Sequence, residues 1–235
     1  VVGDNDIVGT IFNESSIPQM ITLIGSSKTG AKVMQQGAAS IKRYSLELGG
    51  NAPAIVMKDA DIENAATKIT SLKVGNGGQI CVAPNRIFVH EAVMDQFLSH
   101  VMKILADVEY CSGKYTGGKT QMIPLSSKKA VDAMSALVAD AVKKGAMVLC
   151  GGNRHEGKGY FFEPTVMTGV TKEMRVYQEE IFGPILPVFS FNDGDDIVAL
   201  ANDTCYGLAA YLYTNDLNTA MRLSREIDAG DVLVN

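Results

Sequence analysis

The chain has 235 residues, 46% of them hydrophobic and 20% charged, and its 21 Lys and Arg against 26 Asp and Glu leave a net charge of −5. That length and apolar content suffice for a sizeable buried core, and the weakly acidic balance excludes a general binder of nucleic acid or of an anionic membrane surface. No apolar run reaches the roughly 18 residues of a membrane span, and the opening Val-Val-Gly-Asp-Asn-Asp has neither the basic nor the apolar region of a secretory signal.

In chain order, Met20–Ile24 reads as a buried strand that leads through Gly25 into a helix over 28–39. A strand over 54–57 follows, and Asp59 and Asp61 offer N-caps to a helix with Ile62, Ala65, Ala66 and Ile69 on one face. A strand over 86–89 precedes a helix over 91–108, in which Val93, Phe97, Val101 and Leu105 are in register. The long helix over 126–144 stops at Gly145, a residue suited to the left-handed end of a helix, and a strand over 146–150 continues from it. Beyond the Gly-rich, charged stretch 151–159, which reads as a surface loop, come strand 185–190, helix 195–202, strand 208–213, helix 217–227 and strand 232–234. Alternation of this kind implies an α/β fold with a largely parallel sheet.

The cysteines Cys81, Cys111, Cys150 and Cys205 are widely spaced without a CxxC pair, and His90, His100 and His155 are equally scattered. Zinc sites need close ligand pairs, so no metal is expected. A chain of this size has no need of disulfides, and a reduced, cytoplasmic compartment is the expectation.

Four segments carry candidate chemistry. Gly25-Ser26-Ser27-Lys28-Thr29-Gly30, between a strand and a helix, would aim backbone N–H groups and the positive helix end at an anion such as phosphate. It is not a Walker A loop, because Ala31-Lys32 follows Gly30, and not a GxGxxG turn, because Ser27 stands at the second Gly. A plain strand–helix turn remains an equal reading. In Gly75-Asn76-Gly77-Gly78-Gln79-Ile80-Cys81, the glycines permit close approach by a substrate and leave the thiol near a helix start, which favours thiolate. The alternative is a buried structural thiol, and that is the reading for Cys111, Cys150 and Cys205.

Glu47, bracketed by Leu46 and Leu48, is expected to be desolvated with the raised pKa of a general base, unless it is an edge-strand residue facing water. In Glu179-Glu180-Ile181-Phe182-Gly183-Pro184 the carboxylates are either solvated, or one accepts hydrogen bonds from a ribose diol with Phe182 as an apolar wall. Asn85 and Arg86 lie just downstream of Cys81 without an assigned role.

Together and in this order, the segments resemble the NAD(P)-dependent aldehyde dehydrogenase superfamily over residues 1–235. The resemblance rests on Gly-Ser-x-x-x-Gly at 25–30, Glu-Leu-Gly-Gly at 47–50, Gly-Gln-x-Cys at 78–81 and Glu-Glu-x-Phe-Gly-Pro at 179–184. Ile24 departs from it, standing where the family usually has Thr. The resemblance implies the end of a Rossmann-type cofactor domain over 1–47 and an α/β catalytic domain over 48–235, whose thiol faces the nicotinamide across a cleft.

It further implies that NAD or NADP is held by Gly25, Ser26, Gly30, Leu48, Gly49, Glu180 and Phe182. Cys81 would attack an aldehyde to give a thiohemiacetal and then a thioester, its backbone N–H forming half of an oxyanion hole. Glu47 would activate the hydrolytic water, and its presence favours release of a free acid over transfer to coenzyme A or phosphate. The segments 159–165 and 201–209 look like the succinate-semialdehyde and lactaldehyde dehydrogenase branches, which implies a short, polar aldehyde as the small-molecule partner.

Family segments carrying an oxyanion Asn and the adenine-ribose contacts would precede residue 1, and others would follow residue 235. The chain is therefore expected to be part of a longer protein, which by resemblance would be a homodimer or homotetramer. Two further readings stand beside this one. A cofactor-independent thiol hydrolase would use Cys81 with Glu47 and want a histidine, the nearest being His90. A non-catalytic binding or assembly fragment would leave Cys81 inert.

Overall fold

The computed structural model describes residues 3–111 and 121–235. The chain divides into two units, Val1–Gly49 and Gly50–Asn235.

In the first unit, α1 (Asn5–Glu14) starts at Asp4, whose carboxylate accepts from the N–H groups of Asp6 and Ile7 at 3.0 and 3.1 Å. The strand β1 (Met20–Ile24), the helix α2 (Ser27–Gly37) and the strand β2 (Arg43–Glu47) then form a βαβ unit, with Met20 opposite Arg43 and Ile24 opposite Glu47 in a parallel pair. The strand expected to be buried is not: Met20 and Ile24 are 48% and 81% exposed. Among the described residues β1 has β2 as its one strand neighbour, and Met20, Thr22 and Ile24, alternating along it, are the exposed ones. Where α2 ends, Gly37 lies so close to the Tyr44 hydroxyl that no side chain fits there.

The second unit is built on a seven-stranded sheet. Its elements are β3 (Ala52–Val56), α3 (Ile62–Val74), β4 (Pro84–His90) and α4 (Met94–Ala106), then the two-residue strands β5 (Glu109–Tyr110) and β6 (Gln121–Met122). There follow α5 (Lys128–Lys143), β7 (Met147–Cys150), β8 (Thr165–Thr168), the single turn α6 (Arg175–Gln178) and β9 (Ile185–Phe191). The unit closes with α7 (Ile197–Asn202), β10 (Ala209–Tyr213), α8 (Leu217–Glu226) and β11 (Asp231–Val234). The strand order is β11-β10-β3-β4-β9-β8-β7, parallel throughout except for the antiparallel pair β7–β8.

Every residue of β3 and β4 is buried, as central strands of a parallel sheet are when helices cover both faces. On one face Ile69 of α3 and Phe97 and Val101 of α4 pack on Val89 and Val188. On the other, Ile197 of α7 and Leu223 of α8 pack on Ile55, Phe88 and Leu212. A third cluster sets Met134 and Leu137 of α5 against Phe162 and Met167. Each of these large side chains contributes roughly 1.5–3 kcal/mol by leaving water. The expected stop of α5 is there, with Gly145 at φ +103°, and 151–159 is loop apart from one bridge between Arg154 and Phe162. No helix of the described residues is long and apolar enough to cross a membrane.

Candidate active site

In the first unit the Ser26 hydroxyl caps α2, accepting from the Thr29 N–H at 3.2 Å and sharing a 2.9 Å hydrogen bond with the Thr29 hydroxyl. As the first residues of the helix, Ser27 and Lys28 have N–H groups without intrahelical acceptors, and the helix dipole adds positive potential. This end of α2 borders a groove of about 650 Å³ lined by Gly25, Thr29, Lys32 and Val33 among others. Lys32 brings an ammonium, paired with Asp6 at 2.8 Å. Gly30 is required by packing, since a Cβ there would stand 2.9 Å from a Leu48 methyl group. Open amide donors, a nearby cation and a cavity of this size fit the phosphates of a dinucleotide.

Glu47 ends β2 and is exposed, so the desolvation expected of it is absent from the strand. The reason is the pleat: in an extended chain Leu46 and Leu48 project to the face opposite Glu47, and sequence neighbours do not bury it.

In the second unit α3 runs into a 3-10 turn over Gly75–Gly78 in which Asn76, Gly77 and Gly78 have φ of 52°, 64° and 72°. Side chains lock it. The Asn76 amide donates to the Gln79 carbonyl at 2.9 Å, the Gln79 amide returns a bond to the Asn76 carbonyl at 3.0 Å, and Gln79 Oε1 accepts from the Ser126 N–H at 2.8 Å. Cys81 follows as a half-buried, free thiol in a turn closed by the Ala83 N–H on the Ile80 carbonyl. The helix start expected beside Cys81 does not exist, because the chain enters β4 at Pro84. Proline biases the residue before it toward extended backbone. The Tyr211 hydroxyl reaches in to donate to the Val82 carbonyl at 2.8 Å, and burial together with the neighbouring Cys81 pushes that phenol up.

Two glycines let other segments close on this turn. A Cβ on Gly78 would collide with the carbonyl of Gly183, and one on Gly50 with the carbonyl of Cys81. The two carboxylates of the 179–184 segment are thereby told apart. Glu179 is exposed and paired with Arg175 at 2.6 Å. Glu180 is half-buried and accepts from the Gly50 N–H at 3.0 Å. Phe182 is 45% exposed, an apolar ring open to a ligand. Gly50, Cys81, Glu180 and Phe182 are thus held in one neighbourhood of this unit.

Sequence reasoning missed Lys73. It is fully buried, and its ammonium donates to Asn85 Oδ1 and to the Ile181 carbonyl at 3.1 Å. A signal was present: the buried stripe of α3 through Ile62, Ala66 and Ile69 lands next on position 73. Burial pushes this amine down to about 7, against the opposing charge of Glu180.

Arg86 is also fully buried, and its guanidinium donates to backbone. Its acceptors are the carbonyls of Asn51 at 3.1 Å, Leu200 at 3.0 Å and Ala201 at 2.7 Å. It caps the C-terminal end of α7, where a cation is favoured, and lies 5.7 Å from the centre of the Tyr177 ring. Arg86 has no free edge for a substrate carboxylate. His90 is likewise engaged: Nδ1 accepts from the Ala92 N–H and Nε2 meets Asp193 at 3.2 Å. A thiol hydrolase would find no free imidazole there.

The aldehyde dehydrogenase family profile matches residues 1–235. The chain is 39% identical over 235 residues to an NADP(+) succinate-semialdehyde dehydrogenase of Escherichia coli K12, covering 100% of this chain and 48% of that protein. It superposes on the crystal structure of succinate-semialdehyde dehydrogenase from Burkholderia pseudomallei with a TM-score of 0.95 at 40% identity, covering 100% of this chain and 48% of that one. Lactaldehyde dehydrogenase from Escherichia coli gives a TM-score of 0.94 at 36% identity, covering 100% and 49%. The chain spans about half the length of the relatives it matches.

Proposed function

The chain belongs to the aldehyde dehydrogenase family, and from that premise we propose that it oxidises a short, polar aldehyde to the carboxylic acid with NAD or NADP. The observation that carries the reading is the Cys81 turn, where a free, half-buried thiol is braced by Gly50 and by the segment bearing Glu180 and Phe182. Residues 1–47 serve as the end of the cofactor domain and 48–235 as the catalytic domain, a reading supported by the division of the chain into the units Val1–Gly49 and Gly50–Asn235.

Gly25, Ser26 and Gly30 shape the start of α2 for the pyrophosphate, and Leu48 packs against Gly30 where Gly49 leads into the next unit. Glu180 would hold a ribose hydroxyl of the dinucleotide, and Phe182 would offer it an apolar face. When bound, the dinucleotide supplies the hydride acceptor. Cys81, as thiolate, adds to the aldehyde carbon, and the resulting oxyanion is met by the Cys81 backbone N–H. After oxidation Cys81 carries the acyl group as a thioester. Glu47 takes a proton from water, the hydroxide adds to the thioester carbon, and the Cys81 thiolate leaves as the free acid forms. Exposure on β2 leaves Glu47 accessible to such a water.

Names of relatives support the substrate class, since they include succinate-semialdehyde and lactaldehyde dehydrogenases. The proposal extends to self-association as a homodimer or homotetramer, supported by Met147 and Leu149, which the edge strand β7 leaves exposed. Its compartment is the cytoplasm, supported by the free thiols Cys81, Cys150 and Cys205. The test is formation of the reduced dinucleotide with succinate semialdehyde or lactaldehyde, run with each cofactor. Turnover that disappears in Cys81→Ser is the expected result, and no turnover with any aldehyde overturns the reading.

A further inference from the structure

Lys73 and Asn85 lie outside the chemistry just described, yet they are among the most buried polar side chains of the chain, Lys73 at 0% and Asn85 at 2% exposure. A buried ammonium is costly to retain, and an apolar side chain of similar volume would fill the same space without the desolvation. What distinguishes Lys73 is where its donors go. One reaches the carbonyl of Ile181, the residue after Glu180, and another reaches Asn85 Oδ1.

The Lys73 amino group donates to Asn85 Oδ1, which leaves the Asn85 Nδ2 turned away from it. That Nδ2 donates to the Gly50 carbonyl at 3.2 Å, and the N–H of the same Gly50 donates to Glu180 Oε1 at 3.0 Å. The hydrogen bonds close into a ring running Lys73, Asn85, Gly50, Glu180, Ile181 and back to Lys73. Lys73 therefore reaches Glu180 by two routes, through the carbonyl of its chain neighbour Ile181 and through its carboxylate by way of Asn85 and Gly50. Burial lowers the Lys73 amine, and the Glu180 charge opposes that shift, so the two groups sense each other without a direct bond.

Resting on the reading of Glu180 as a ribose acceptor, we propose that Lys73 and Asn85 are positioning residues that set the Glu180 carboxylate for the dinucleotide. Lys73 touches neither substrate nor cofactor and acts through the ring.

The experiment is a double-mutant cycle on dinucleotide binding, titrating NAD+ and NADP+ into wild type, Lys73→Met, Glu180→Gln and the double variant. Cys81 alkylation without dinucleotide serves as a second readout. Lys73→Met is expected to weaken binding and raise the dinucleotide KM by about tenfold or more, and to add less than about twofold when Glu180 is already Gln. Lys73→Arg, which keeps the donors, is expected to recover much of the loss. Equal losses in both backgrounds, or reduced thermal stability with unchanged dinucleotide affinity, would reduce Lys73 to packing and overturn the proposal. Should Lys73→Met fail to fold, Asn85→Asp is read in the same cycle, since it keeps the acceptor for Lys73 and removes the donor to Gly50. Binding of neither dinucleotide by the wild-type protein overturns the functional reading, and this one with it.

Discussion

The backbone N–H of Gly50 donates to the carboxylate of Glu180 at 3.0 Å, although the two residues are 130 positions apart in the chain. The same glycine lies against the Cys81 carbonyl with no room between them. Gly50→Ala should therefore act on thiol and carboxylate together. The added methyl must displace the Cys81 peptide, an overpacking expected to cost about 1–3 kcal/mol. Urea unfolding measures that loss, and dinucleotide titration of the folded fraction should show weakened binding beyond it.

The thiols separate by environment. Burial pushes the Cys150 thiol up, which lowers its thiolate fraction and hence its alkylation rate. Iodoacetamide near neutral pH, read by peptide mass, is expected to label Cys81 ahead of Cys150, at a rate that changes when NAD+ or NADP+ is added. Replacing Cys81 by Ser should lower turnover by on the order of a thousandfold or more, while Cys150→Ser leaves turnover near wild type.

Arg86 offers a contrast between stability and specificity. Arg86→Met strands the buried carbonyls of Asn51, Leu200 and Ala201, a loss of about 2–4 kcal/mol. Because the guanidinium is already occupied, the milder Arg86→Lys should leave the ratio of kcat/KM for succinate semialdehyde over propanal unchanged. A selective fall for the carboxylated aldehyde would put Arg86 at the substrate instead.

Lys73 imposes a pH dependence on folding whose sign is fixed. Its amine falls from an ordinary 10.5 to about 7 in the folded chain. Below about pH 7 both states hold the proton and the full cost of burying the charge is felt. Between about 7 and 10.5 the unfolded state binds more protons, so stability rises with pH. The stability of wild type relative to Lys73→Met, from urea titrations across this window, should improve by up to a few kcal/mol. A flat difference would contradict the buried, charge-averse environment.

The strand–helix alternation was readable because the central strands are continuous apolar runs and the helices carry periodic stripes with acidic caps, as at Asp61. The helix α1 went unread although Ile7, Val8, Ile11 and Phe12 recur at helical spacing behind the Asp4 cap, a signal only two turns long and interrupted by Gly9. So did β8, four residues emerging from a loop and paired with β7 and β9 by long-range register. At the site, glycine motifs marked where backbones meet; Arg175, four residues before Glu179, is a local cue for the outward carboxylate, but the Gly50 N–H that takes Glu180 comes from a distant segment and no local rule supplies it. Lys73 was hidden because lysine ordinarily stays at the surface, and of the two readings of Glu47 the strand shows the exposed one, because its chain neighbours project to the opposite face.

The meeting of Gly78 with the Gly183 carbonyl has a mechanical consequence. Side chains in contact can slide or change rotamer, but two peptide backbones pressed together without a Cβ have no such slack. The contact works as a rigid joint. Phe182 precedes one of the two contacting peptides and Cys81 lies three residues beyond the other, so the two side chains share a single backbone contact as their common mount. A side chain at Gly78 would part the two peptides, separating the Cys81 turn from the segment that carries Glu180 and Phe182.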